Sequence, residues 1–302
     1  MDKRKTGVAL FITLMVIASI MSIIAVSFTY LEKVQKDAGA TSALIQANLL
    51  YANTVEVLKR FFPAGSDNSD KLALMYTMPL ILSEGKSAFA VNLSCEALMI
   101  GVPINWLTSE QASGLQEKSN LVRDVLKYVI ELYDIEDPNK LEQLLVERVI
   151  GKHVGNQDYE PRLKNKKGIV SKQQFDRILT NYALEYDDPK ALKVPWNKYF
   201  SFVPTDKQTR IDGNYLSPEF ISAAFDIPIE IVQDSWIVGE STLATFLKEN
   251  AISTPINNKI YANKALNAMH CEETFAYKER QYKYKFNYIE GRSSNFEFNG
   301  QQ

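Results

Sequence analysis

Histidine and cysteine are scarce: His153, His270, Cys95 and Cys271 are the whole supply in 302 residues. The two histidines stand far apart with no HExxH or CxxC pattern around them. Metal-site spacing is specific, so surface or core histidine is the commoner reading. No Walker-type or GxGxxG run is present, and Gly213 stands alone in its phrase. No nucleophile, base and orienting group can be picked out together, which speaks against an enzyme. A basic surplus is missing as well. Thirty-four Lys and Arg face 36 Asp and Glu, for a formal charge of −2 and a pI near 5.9. That balance lacks the electrostatic footprint of a nucleic-acid partner. Two cysteines allow one intramolecular pairing. In the cytosol two buried thiols are the default and outside it a disulfide can form, so both states stay open.

Proline, glycine and charge are all absent from Val8 to Tyr30, VALFITLMVIASIMSIIAVSFTY. As a helix this run measures roughly 30–35 Å, enough to cross a hydrocarbon core. A cleavable secretory signal has a shorter apolar region with a small-residue cut site beyond it. Lys3, Arg4 and Lys5 precede the run, which places the N-terminus in the cytoplasm and Leu31 onwards outside. Helical character then continues. Leu31 to Phe62 contains no proline, and Leu44, Tyr51, Val55, Leu58 and Phe62 fall on one face. Gly39 is a weak interruption, and Pro63-Ala-Gly-Ser ends a helix of roughly fifty residues.

Shorter periods follow. Leu72 to Leu82 and Phe89 to Ile104 read as strands split by a Ser83-Glu84-Gly85-Lys86 turn. Leu121, Val122, Val125, Leu126, Val129 and Ile130 form a helical stripe, and Asp137-Pro138 opens a further helix that ends at Gly151. Gly151 to Gly168 is polar and reads as loop. Ser171-Lys-Gln-Gln is a capping box for a helix burying Phe175, Ile178 and Leu179. Ser217-Pro218 caps another, with Phe220, Ile221, Ala224 and Phe225 inside. Short helices are predicted after Ile227-Pro228 and from Thr242 to Asn250. From Glu273 onwards KYKFNYIEG and NFEFNG alternate around Gly291–Ser294 as a two-stranded ribbon. Tyr277, Tyr282, Tyr284 and Tyr288 alternate there with lysines, the pattern of a half-buried strand with a lysine-protected edge.

A short basic leader, a glycine and an immediate apolar helix, here KRKTG then VALF, resembles type IV pilins and pseudopilins. The resemblance implies cleavage after Gly7 by a prepilin peptidase, with Val8 as the new, methylated N-terminus. Most members carry a glutamate five residues after the cut, where it pairs with a neighbour's N-terminal amine. Ile12 stands here instead. An unpaired carboxylate in lipid is costly, so a subunit with nothing above it has no use for one. Among pseudopilins that absence marks the K-type minor subunit of type II secretion. Two further phrases are similar to that family. Lys164-Asn165 leads to the Ser171 helix, and RIDGNYLSPEFISAAF keeps Ile211, Asn214, Pro218 and Glu219. Asp212 and Tyr215-Leu216 depart from the family pattern.

The resemblance implies an α+β fold: a pilin-like long N-terminal helix packed on a small antiparallel sheet, with a large inserted α-helical domain. Residues 1–7 are the leader, 8–30 the transmembrane part of the helix, and 31–106 the periplasmic half with the first strands. Residues 107–272 are the insertion and 273–302 the C-terminal strands. If Cys95 and Cys271 pair, they staple the two ends of the insertion. The implied function is a non-enzymatic tip subunit of a secretion pseudopilus in the bacterial inner membrane, single-pass, with its head in the periplasm. The implied partners are other minor pseudopilins through the N-terminal helix, the prepilin peptidase and inner-membrane lipid, with no nucleic acid. Calcium is a candidate ion of the helical domain, with oxygen donors near Glu185, Asp187 and Asp188 or Asn156-Gln157-Asp158. Solvated loop carboxylates are commoner and no EF-hand spacing exists, so no ligands are assigned. A type IV pilus or DNA-uptake subunit, and a plain membrane-anchored periplasmic scaffold, remain the alternatives.

Overall fold

One helix, α1 (Lys3–Phe61), runs through 59 residues without a break. Its last turn carries Lys59 and Arg60, whose charges suit the helix C-terminus, and the chain leaves it at Pro63. Gly39 is passed without interruption, in open space. The structure is a computed structural model that describes residues 3–63, 65–83, 90–107, 115–151, 167–252, 255–262, 264–277 and 280–299.

The head is a five-stranded sheet of order β1-β2-β7-β8-β9, from Leu80–Ser83, Ala90–Ala97, Ala268–Tyr277, Arg280–Ile289 and Arg292–Asn299, all neighbours antiparallel. Alternation builds its inner face. Val91, Leu93 and Cys95 of β2, Met269, Cys271 and Phe275 of β7, and Tyr282, Tyr284, Phe286 and Tyr288 of β8 are all buried. Together with Ala43, Ala47, Val55, Leu58 and Phe62 of α1 they form one hydrophobic core.

Between β2 and β7 the chain leaves the sheet and builds a second core. Its helices are α3 (Gln116–Leu132), α4 (Pro138–Ile150), α5 (Lys172–Tyr186), α6 (Pro218–Phe225), α7 (Ile229–Ser235) and α8 (Leu243–Glu249). Two parallel strand pairs tie it: β3 (Val102–Pro103) with β4 (Phe200–Ser201), and β5 (Ile211–Asp212) with β6 (Tyr261–Ala262). The caps work as their residues predict. The Asp137 side chain accepts from Lys140 N, Ser171 from Gln174 N, Ser217 from Phe220 N and Thr242 from Thr245 N, while Gly151 (φ 77°) ends α4.

Several expectations are corrected. Leu72 to Leu82 is not a single strand. Ser69–Thr77 forms α2, because Asp67 captures the Ser69 amide and hydroxyl and burial falls on Leu72 and Met75, three residues apart. On α1 the sheet is met by Ala43, while Leu44 is exposed. Phe220 and Ile221 are buried on α6, but Ala224 and Phe225 only partly. The ribbon is a three-stranded meander starting at Ala268. Its second turn is Glu290-Gly291, both at positive φ (44° and 83°) with Ile289 opposite Arg292, a two-residue hairpin loop whose backbone twist suits the strands. β8 lies inside the sheet, so its lysines protect no edge. Lys283 and Lys285 instead bracket Glu272 of β7 at 2.9 and 3.1 Å. β2 ends at Ala97 and β7 begins at Ala268, with the helical segment between them. Glu84 to Lys86 of the expected turn and most of the Gly151–Gly168 loop lie outside the described residues.

Candidate assembly site

From Ser19 to Gln35 every described side chain of α1 is exposed, whichever way it points. Ile20, Met21, Ile23, Ile24, Val26, Phe28, Tyr30, Leu31 and Val34 are among them. No described part of the head buries this stretch. A helix apolar on all sides and bare on all sides needs apolar surroundings from elsewhere, lipid or other helices. Its hydroxyls already suit such surroundings. Ser19 donates to Met15 O (2.9 Å), Ser27 to Ile23 O (2.8 Å) and Thr29 to Ala25 O (3.0 Å), one turn back in each case. The polar groups are thereby satisfied within the helix. Gly7 and Val8 sit inside the helical backbone, but their side chains lie outside the described set, as do those of every residue up to Leu14. Among the described residues no helix is long and apolar enough to cross a membrane.

The outer half of α1 is seated by small residues and one aromatic anchor. Ala43 and Ala47, one turn apart and fully buried, let the helix approach the sheet closely. Tyr51 then inserts among Tyr284, Phe286 and Phe296 with ring centroids 6.3, 5.2 and 4.8 Å away, and its hydroxyl donates to Ser293 Oγ at 2.7 Å. Edge and offset ring contacts of this kind add to burial. Thr54, Leu58 and Phe62 continue the buried row.

One group in this seat was not anticipated. Glu273 points from β7 into the core between Leu93 and Tyr284 and is fully buried. Thr54 and Tyr284 lie close enough to favour its charge, but neither carboxylate oxygen makes a well-formed hydrogen bond to a described residue. Burial therefore dominates and holds the carboxyl above its usual range. Well below pH 4.5 the group is protonated in both states and the cost of burying its charge is absent. As pH rises above that, the unfolded chain ionises first and stability falls until the folded pKa is passed. Glu273→Gln is expected to remove this slope. At pH 8 it should raise stability by on the order of 1–3 kcal/mol, and at pH 4 leave it unchanged. Chemical denaturation at the two pH values checks both.

Cys95 and Cys271 are directly opposed in the β2–β7 ladder and are joined by a disulfide, with Cα atoms 4.1 Å apart across 176 residues of chain. Around it the root of the insertion is pinned by polar bonds. Ser217 N donates to Ile100 O (2.8 Å), and the two amides of Asn214 and Leu266 donate to the buried Asp212 carboxylate (2.9 and 2.7 Å). Burial outweighs those two bonds and pushes Asp212 up to about 6. Asn68 and Asn267 meet at 3.0 Å, tying α2 to the strand that returns.

The calcium expectation does not fit the described residues. Asp188 is fully buried, and its oxygens accept from Glu136 N (3.0 Å), Tyr182 OH (3.3 Å) and Lys190 N (3.1 Å). Lys190 already supplies the cation there, 2.9 Å from Asp134 and 3.2 Å from Glu136. Among the described residues no three acidic, histidine or cysteine side chains gather as ligands, and Asn156-Gln157-Asp158 lie outside them. His153 does too, while His270 Nδ1 pairs with Asn287 Oδ1 across β7 and β8 at 2.7 Å.

No protein-family model and no curated protein matches this sequence. Among solved structures, a chain of the GspK-GspI-GspJ complex from the enterotoxigenic Escherichia coli type 2 secretion system matches 86% of this chain and 98% of its own length. The TM-score is 0.53 and the identity 12%, so what the two share is the fold.

Proposed function

We propose that this chain is a minor pseudopilin of a type II secretion pseudopilus, held in the inner membrane by α1 until it is cut after Gly7 and packed at the tip. The observation that carries the reading is the division of α1: its outer half lays one face on the head, while from Ser19 to Gln35 every described side chain is exposed. A plain anchor needs only the inner half. A fibre subunit needs both, because the rigid continuation fixes where the head sits when helices bundle. The fold shared with a chain of a type 2 secretion complex supports the reading, as does Ile12, which leaves no buried carboxylate awaiting a subunit above. The partners are other minor pseudopilins, meeting α1 through helix packing. The insertion enlarges the head above the bundle and blocks further addition, so the role is structural and no catalysis is assigned.

The test is the mass and N-terminal sequence of the full chain expressed with and without an active prepilin peptidase. The expected product begins at Val8 only when the peptidase is active, and Gly7→Phe abolishes processing. A chain still beginning at Met1 beside active peptidase overturns the reading and leaves an anchored periplasmic scaffold.

A further inference from the structure

A cleft of about 960 Å³ opens at the seam between head and insertion, beside the polar bonds of the insertion's root. Its floor is apolar, with Ala262, Ala265 and Ala268 set among Met99, Leu266 and Ile289. Its rim is basic. Lys207 and Arg210 stand on one side, Lys259 and Lys264 on another, and Arg292 comes from the start of β9. The whole chain carries −2, so this concentration of positive charge is local.

The rim is built, not loosely draped. Lys118 is buried beneath it, with Nζ donating to Lys207 O (2.9 Å) and Thr209 O (2.6 Å) and lying 4.8 Å over the Trp106 ring. Asp206 closes the same loop by accepting from the amides of Gln208 (2.9 Å) and Thr209 (2.7 Å). The two acids lining the cleft are already engaged, Asp206 in that turn and Glu290 with Asn267 N at 2.9 Å. Lys259 pairs with Glu117. Among the described residues Lys207, Arg210, Lys264 and Arg292 have no ion-pair partner.

We propose that this cleft receives an acidic polypeptide segment of a partner protein. The four cations come from two loops and the start of β9 and spread along the rim, which suits carboxylates spaced along a strand better than one compact anion. A floor of alanines with Met99 and Ile289 leaves room for a backbone with small side chains. Position argues against lipid. Gly65 and Ser66 line the cleft just past the end of α1, on the order of 45–50 Å along the helix from Tyr30. That last step rests on the pseudopilin reading, whereas peptide binding does not, so the two fail separately.

The experiment measures fluorescence anisotropy of a labelled peptide of alternating glutamate and alanine titrated with the full chain in neutral detergent. The expected result is saturable binding that weakens at least about tenfold in Lys207→Glu/Arg210→Glu and is unchanged in Lys193→Glu, which lies outside the cleft. Thermal unfolding of the variants confirms that each is folded. Equal binding of a lysine–alanine peptide, or an unaltered affinity in the double variant, overturns the proposal. Displacement by millimolar inorganic phosphate overturns it in favour of a small-anion site. Capture by phosphatidylglycerol vesicles that is lost in the double variant overturns it in favour of a membrane surface.

Discussion

Replacing Cys95 and Cys271 together by alanine is expected to lower the unfolding free energy by about 4 kcal/mol. The bond closes a loop spanning 176 positions, so its removal frees long-range entropy in the unfolded chain. Both residues are buried at the centre of the α1-facing side of the sheet, so the substitution also forfeits packing there. Denaturant unfolding of the oxidised protein and the double variant checks this. A loss below about 1 kcal/mol would mean that the β2–β7 ladder and the polar bonds at the root hold the insertion without covalent help.

Gly101→Ala is the second large effect. Gly101 lies where the chain leaves the sheet, and a methyl group there would stand 2.2 Å from the Tyr199 carbonyl oxygen and 2.9 Å from Phe200 N. Both obstacles are backbone, and neither can swing aside. The same carbonyl accepts from Val102 N at 3.0 Å, and Ser201 Oγ donates to Gly101 O at 3.0 Å, so any shift also breaks the β3–β4 contact. The expected cost is about 3 kcal/mol. It should appear first in the insertion. Trp106, Trp196 and Trp236, the whole tryptophan content, belong to the insertion's core, so tryptophan fluorescence reports that core alone. The fluorescence transition should move to lower denaturant more than the far-ultraviolet signal, to which α1 and the five-stranded sheet also contribute. Coincident shifts of equal size would show that the two cores unfold as one.

Charged residues in apolar phase were the signals left unread in the sequence. Along β7 the inward positions run Met269, Cys271, Glu273, Phe275, and Glu273 keeps step with them. On α3, Lys118 precedes Val122, Val125 and Val129 at helical spacing and is buried with them. Both read as solvent-facing when charge is weighed ahead of period. The α2 segment was misread for the opposite reason. Its apolar residues are dense enough to suit either period, and the decision came from the Asp67–Ser69 capture at its start and from which side chains found the core.

By itself the sequence determined the long helix, its apolar and amphipathic halves, the capped helices of the insertion and the alternating strands at the end. Those are consequences of period, capping chemistry and missing proline, all local along the chain. Tertiary structure alone decided that Cys95 and Cys271 stand opposite each other, that Ala43 rather than Leu44 meets the sheet, and that cations from three loops and the start of β9 surround one cleft. Each of these depends on residues tens to hundreds of positions apart being brought together. Sheet order and the placing of the insertion set those meetings, and no local pattern encodes them.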